Sequence, residues 1–216
     1  MSGPISPEVP VEAVNRRRSD LDPRADWEDE QVVDADFSGQ SADGLWLTRC
    51  ELRGVRFTAA QLKRLSLTDV VAVDCEFSGA VLHDPSFLRV EFRNCRMAGL
   101  VLVNGKFRHV RLIDCKLDES NLRFVDAEHV VWEGCSLAGA DFMEASLAKT
   151  RFDGCDLRAA SFAKASMRGV RLGGSRIDGI VGAGSMAGVV VSSDQVLPLA
   201  LSLLGEFDIE ISDDPE

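Results

Sequence analysis

The run CEFSGAVLHDPSFLRVEFRNCRMAGLVLVNGKFRHVRLIDC (75–115) places a bulky apolar residue at every fifth position: Phe77, Leu82, Phe87, Phe92, Met97, Leu102, Phe107 and Leu112. Followed outward, this register runs unbroken from Phe37 to Ile177, and all 29 of its positions are apolar. Nine of the 11 phenylalanines of the 216-residue chain lie in it, which rules out coincidence. A second apolar set, mostly Ala, Val, Cys and Leu, stands two residues before each of these positions. A separation of two puts both side chains on one face of an extended chain. The three intervening residues are mostly polar, and the last is often glycine (Gly39, Gly54, Gly79, Gly99, Gly134), a residue suited to a corner. A helix needs apolar residues about 3.6 apart, so a strict period of five excludes one here.

The number of sides per coil follows from the cysteines. Cys75, Cys95, Cys115, Cys135 and Cys155 recur every 20 residues, as do Val70, Val90, Val110, Val130 and Val170, with Thr150 in the same column. Twenty residues are four five-residue units, so the coil is square in section and equivalent residues stack. The 29 units make a little over seven coils, which at about 4.8 Å per coil form a rod roughly 34 Å long.

The units ADFSG (35–39), CEFSG (75–79), ADFME (140–144) and CDLRA (155–159) resemble the A-(D/N)-L-X-X pattern of the pentapeptide-repeat family. The resemblance covers about two thirds of the chain and implies an all-β solenoid, the family's right-handed, four-sided β-helix. Many units depart from the pattern by carrying a basic or apolar residue where the family prefers Asp or Asn.

Four regions are expected. Residues 1–24, rich in proline and charge and without periodicity, read as a flexible N-terminal tail. The β-helix spans 25–180, with Trp27 and Val32 in phase and Trp27 placed to cover the open end. Residues 181–211 form a C-terminal cap: a short helix with Ser193 as N-cap, Pro198 near its start and Gly205 at its stop, then an alternating strand, FDIEI (207–211). Residues 212–216 are an acidic tail. The cap doubles as a candidate homodimer contact through Leu197, Leu199, Leu201, Leu203 and Leu204, as the resemblance to gyrase-binding family members implies.

The net charge of −11 belongs to the ends. Residues 1–30 hold 4 basic and 8 acidic groups, residues 181–216 hold 7 acidic and no basic ones, and 31–180 are balanced at 20 of each. The most basic side contains Arg49, Arg89, Lys106, Arg108, Lys149 and Arg168, interrupted by Asp69, Asp126 and Glu128. It lacks interleaved aromatic residues, so direct nucleic-acid binding is not expected. No apolar run reaches the roughly 18 residues of a membrane span, nor does the N-terminus read as a secretory signal, so a cytoplasmic protein is expected.

No motif for catalysis, phosphate binding or a cofactor stands out. The cysteines read as small core hydrophobes, since ladder spacing does not converge four ligands on a metal. His109 and His129, 20 apart, should stack at adjacent corners near Asp126 and Glu128, and His83 has no catalytic partner at motif spacing. Outward apolar residues are more informative. Val81, Val101, Val103, Phe124 and Met143 gather on one side, and Val71, Val73, Ile113 and Val131 on the next. Such patches mark partner sites. The expected function is a non-catalytic, rigid protein–protein interaction or scaffold module using the side around Phe124. The alternative, implied by the family resemblance, is a DNA-mimicking binder of a type II topoisomerase (DNA gyrase) that gives quinolone protection.

Overall fold

The computed structural model describes residues 3–10, 14–15 and 18–209. Its coil is the four-sided solenoid anticipated from the period, of about seven turns, and its neighbouring strands are parallel. From Trp46 onward the strands pair 20 residues apart: Trp46–Arg53 with Ser66–Val73, then Ser86–Arg93, then Lys106–Ile113. These four strands each turn a corner and so supply two sides at once. The short strands Ser41–Asp43, Gln61–Lys63, Val81–His83 and Val101–Val103 build a third side. Single bridges from Asp36 through Arg56, Glu76, Arg96, Lys116, Ser136 and Asp156 to Arg176 build the fourth.

Both inward sets are buried. Phenylalanines that follow one another in a column stack at 4.9 Å for Phe57–Phe77 and for Phe87–Phe107, with ring planes within 11°, and tilt by 32° for Phe37–Phe57. Each such ring contributes about 1.5–3 kcal/mol by burial. Small residues make room for large ones within a coil: Ala127 precedes Trp132, and Gly105 precedes Phe107. A Cβ on Gly105 would lie 2.7 Å from the Leu102 side chain and 3.0 Å from Phe107, so a larger residue there would require both to shift.

The corners are left-handed, and many are not glycine. Arg49, Asp69, Arg89, His109, His129 and Lys149 all have φ between 52° and 57° at the same corner of successive coils. Inter-coil hydrogen bonds over-determine this strained backbone, as where His129 N–H donates to Ala148 O at 3.2 Å.

Two kinds of corner exist. One closes on itself, as where Ala60 N–H donates to Phe57 O at 3.0 Å and Ala80 N–H to Phe77 O at 3.0 Å. The corner entered after Leu52, Ala72, Phe92, Leu112 and Trp132 is instead served by the cysteine column. Each thiol donates to the carbonyl 23 residues earlier: Cys75 to Leu52, Cys95 to Ala72, Cys115 to Phe92, Cys135 to Leu112 and Cys155 to Trp132, at 3.4–3.6 Å. The next member is Ser175, whose hydroxyl donates to Phe152 O and accepts from Cys155 N–H, both at 3.0 Å. The last is Gln195, whose amide donates to Leu172 O and Ser175 O at 2.6 Å. The cysteines are therefore more than the small hydrophobes expected. They supply a second, weak donor to carbonyls of the inter-coil ladder. Burial pushes the Cys50 thiol up, and hydrogen bonds to Cys115 and Cys75, reinforced by burial, push Cys95 up, so both stay protonated.

Both ends are plugged. Trp27 is fully buried rather than terminal. Its ring lies beneath the Arg18 guanidinium at 4.3 Å, and Arg18 forks onto Glu30 at 2.8–3.0 Å. Leu21 is buried as well, and Val14–Asn15 pair in parallel with Glu30–Gln31. Residues expected to be a tail thus contribute structure to the first coil. At the other end the helix spans Val196–Glu206, with Pro198 in its first turn. A one-turn 3-10 segment, Ser193–Gln195, precedes it, and the cap is Ser192, in a capping box with Gln195, rather than Ser193. The helix runs one residue past Gly205. Residues 207–209 form a turn and an irregular residue rather than the expected strand, whose remainder, 210–211, lies outside the described residues along with the acidic tail 212–216.

Thermal denaturation should separate the two roles of the cysteines. Cys115→Ser keeps a donor, as Ser175 does, and is expected to cost less than about 1 kcal/mol. Cys115→Ala loses both the weak donor to Phe92 O and the packing of the sulfur, and should cost about 1–3 kcal/mol.

Candidate functional site

The side bearing Val81 and Val101 is built of three-residue strands, entered through corners that close on themselves at Phe77–Ala80 and Met97–Leu100. Val81 and Val101 are direct register partners, and Val103 stands opposite His83. The next coils place Asn121 and Arg123, then Asp141 and Met143, in the same two columns. All five residues singled out from the sequence (Val81, Val101, Val103, Phe124 and Met143) therefore share this side and its edge. Four are half-buried, and Phe124 projects most, at 46% exposed.

Phe124 is the anomaly of the surface. It occupies a left-handed corner, φ 60°, in a column whose other members are Gly44, Arg64, Asp84, Asn104, Glu144 and Lys164. A bulky aromatic gains nothing from that backbone, which favours Gly and Asn. Its N–H still donates to Met143 O at 3.1 Å, so the ladder holds the corner while the ring stays in solvent. Polar pairs border the patch: the ion pairs Arg123–Asp141 at 2.5 Å and Lys164–Glu144 at 3.8 Å, and the Asn104 amide donating to Asp84 at 3.2 Å. Toward the N-terminal end the same side hollows into a groove of about 420 Å³ lined by Pro23, Asp43, Gln61, Lys63, Val81 and His83 among others.

The second apolar group does not form a patch. Val131 is buried, and the column containing Val71 and Val131 is broken by Glu91, only 2% exposed, which pairs with Arg93 and, at 3.5 Å, with Arg111. Three outward aromatic or aliphatic positions escaped the sequence reading. Trp46, 43% exposed, lies against Gly44, and Val181 and Val190 are exposed in the last coil. Trp46 was legible, since it sits one position before the inward Leu47.

The charges of the coil are largely spent on one another. Arg49 forks onto Asp29 and Arg89 onto Asp69 across successive coils, and Asp156 holds both Arg158 and Arg176. The arginine partners hold Asp29, Asp69 and Asp156 below the usual carboxylate range. His109 and His129 do stack, with ring centroids 4.8 Å apart at 15°, and Lys149 lies 3.2 Å from His129. Among the described residues no group of three or more His, Cys, Asp or Glu side chains is arranged to hold a metal. No helix of the described residues is long and apolar enough to cross a membrane.

A family model described as the pentapeptide repeat region matches residues 45–122 and 106–181. The chain belongs to the pentapeptide-repeat family. No curated protein sequence is significantly similar to it. Solved structures that resemble it include trypsin-treated QnrB1, a plasmid-mediated fluoroquinolone resistance protein, at 20% identity over 93% of this chain and 96% of that one, TM-score 0.44. Full-length QnrB1 resembles it at 21% identity over 86% and 94%, TM-score 0.42. HetL, a pentapeptide repeat protein involved in heterocyst differentiation regulation from the cyanobacterium Nostoc sp. strain PCC 7120, does so at 15% identity over 80% and 89%, TM-score 0.30. At these identities and scores the likenesses carry no argument about function.

The dimerisation set divides. Leu197 and Leu201 of the pentapeptide-repeat protein's terminal helix are exposed at 67% and 51%, with Val196 beside them. Leu199 and Leu203 pack against the core and Leu204 is half-buried, so these three belong to the cap.

If Phe124 is kept for its surface, replacing it should be nearly free. Phe124→Asn is expected to shift stability by less than about 1 kcal/mol, since relieved corner strain offsets the lost contact. Phe142→Ala, in the core, should cost about 3–5 kcal/mol in the same melts.

Proposed function

We propose that this pentapeptide-repeat protein is a non-catalytic interaction module that binds a protein partner through the side around Phe124. The observation that carries this is a half-exposed aromatic held on a left-handed corner beside Val81, Val101, Val103 and Met143. Aromatic residues flanked by apolar contacts and a charged rim are the usual anchors of protein interfaces. Phe124→Asp combined with Val103→Asp changes only outward positions, so the melting profile should stay native while capture of the partner from extract is lost. An unchanged set of captured proteins would sink this assignment.

Two finer readings accompany it. A homodimer through the terminal helix is supported by the outward Val196, Leu197 and Leu201. Leu197→Asp with Leu201→Asp should halve the sedimenting mass, and an unaltered mass would exclude the contact. Topoisomerase binding by DNA mimicry asks for negative charge laid along the rod. Here carboxylates such as Asp29, Asp36, Asp69 and Asp156 are already paired to arginines, which favours the apolar side as the working surface.

A further inference from the structure

The segment GPISPEVP (3–10) carries a proline at every third residue: Pro4, Pro7 and Pro10. All three are half-buried against the coil, while Ile5, Ser6 and Glu8 are exposed. The residue after each of the first two prolines donates its backbone N–H to the coil. Ile5 N–H donates to His109 Nδ1 at 3.3 Å and Glu8 N–H to Asp69 Oδ1 at 3.1 Å. The two acceptors are 40 residues apart in the same corner column, which is two coils, or about 9.6 Å. Three residues of chain cover that distance, about 3.2 Å each.

A polyproline II helix rises about 3.1 Å per residue with three residues per turn, a pitch of about 9.3 Å. One turn of the segment therefore matches two turns of the solenoid, and both periods return together. Each turn of the segment presents a proline to the coil and one free N–H to an acceptor. The acceptors are held in place from behind. Asp69 is almost fully buried and forked by Arg89 at 2.5–2.6 Å, and His109 is braced by the stacked ring of His129.

We propose that the corner column Asp69–Arg89–His109 is a recognition surface for extended peptides with proline at every third residue, occupied in this chain by its own residues 3–10. This surface is separate from the side around Phe124, and the proposal does not rest on the function assigned there. Fixed prolines lower the ordering cost of such a peptide, and the stacked coils supply a ruler with the right spacing. A tethered copy is present at a high effective concentration, so a peptide from another chain has to displace it.

His109 accepts through Nδ1, so only its neutral form serves. Burial, with the neighbouring His129, keeps its pKa below the ordinary 6.5, opposed by Glu128, while Arg89 faces it from the adjacent coil, Lys149 lies two coils on and Glu8 lies on the docked segment. A depressed histidine pKa means that docking is complete above 6.5 and is lost as pH falls through the lowered value.

The test uses the full chain with Pro4→Ala, Pro7→Ala and Pro10→Ala, and as probe a fluorescein-labelled peptide of sequence GPISPEVP read by fluorescence anisotropy. The substituted chain should bind the probe about tenfold more tightly than the native chain, whose own segment competes, and about tenfold more tightly than it binds the same peptide with alanine for proline. Binding should weaken as the pH falls below 6.5, and His109→Phe should weaken it at neutral pH and remove the pH step. Amide exchange at Ile5 and Glu8 in the native chain, faster in the substituted one, reports docking independently of the probe. Equal binding of the proline and alanine peptides, or no gain from releasing the segment, would overturn the proposal.

Discussion

Every feature of this molecule depends on the 20-residue register of its inter-coil hydrogen bonds. Because each residue lies over the one 20 positions later, a side chain is never alone: it meets its own column above and below. That single constraint sorts the sequence into vertical series, and each series must be chemically compatible with itself. Aromatic rings stack, Asp and Arg alternate into ion pairs, and thiols, a hydroxyl and an amide succeed one another as donors to one line of carbonyls. The backbone absorbs left-handed corners at charged and aromatic residues because neighbouring coils hold them from both sides.

The same constraint explains why so much was legible without coordinates. A column is a period, and a period survives in the sequence whatever the individual residues are. The fold, the four sides, the stacking of His109 on His129 and the gathering of Val81, Val101, Val103, Phe124 and Met143 on one side all follow from counting in fives and twenties. What escaped was whatever lacks a period within the coil. Arg18 over Trp27, Ser192 in place of Ser193 as the helix cap, and the division of the helix leucines into packed and exposed sets depend on where a non-repeating segment comes to rest. The role of the cysteines escaped for a subtler reason. Counting places them in a buried column, but only the conformation of the corners reveals that their thiols reach the carbonyls 23 residues earlier.

The two proposed surfaces differ in kind. The side around Phe124 offers side chains and shape, while the corner above Asp69 and His109 offers fixed acceptors at regular intervals. The charged columns between them are engaged in pairing, and at exposed positions such pairs contribute little to stability. Their effect is to leave the coil without a long field of either sign, so that recognition rests on local features rather than on steering from a distance.

The axial direction of the hydrogen bonds has a mechanical consequence. Tension applied between the two ends loads the coils in series, one against the next, rather than shearing many strands at once. Failure then proceeds by peeling, and each step releases one coil of 20 residues, about 70 Å of extended chain. Gln195 stands at the terminal step, its amide gripping Leu172 O and Ser175 O beneath the helix. It acts as a pawl: while it holds, the last coil cannot begin to unwind from that end.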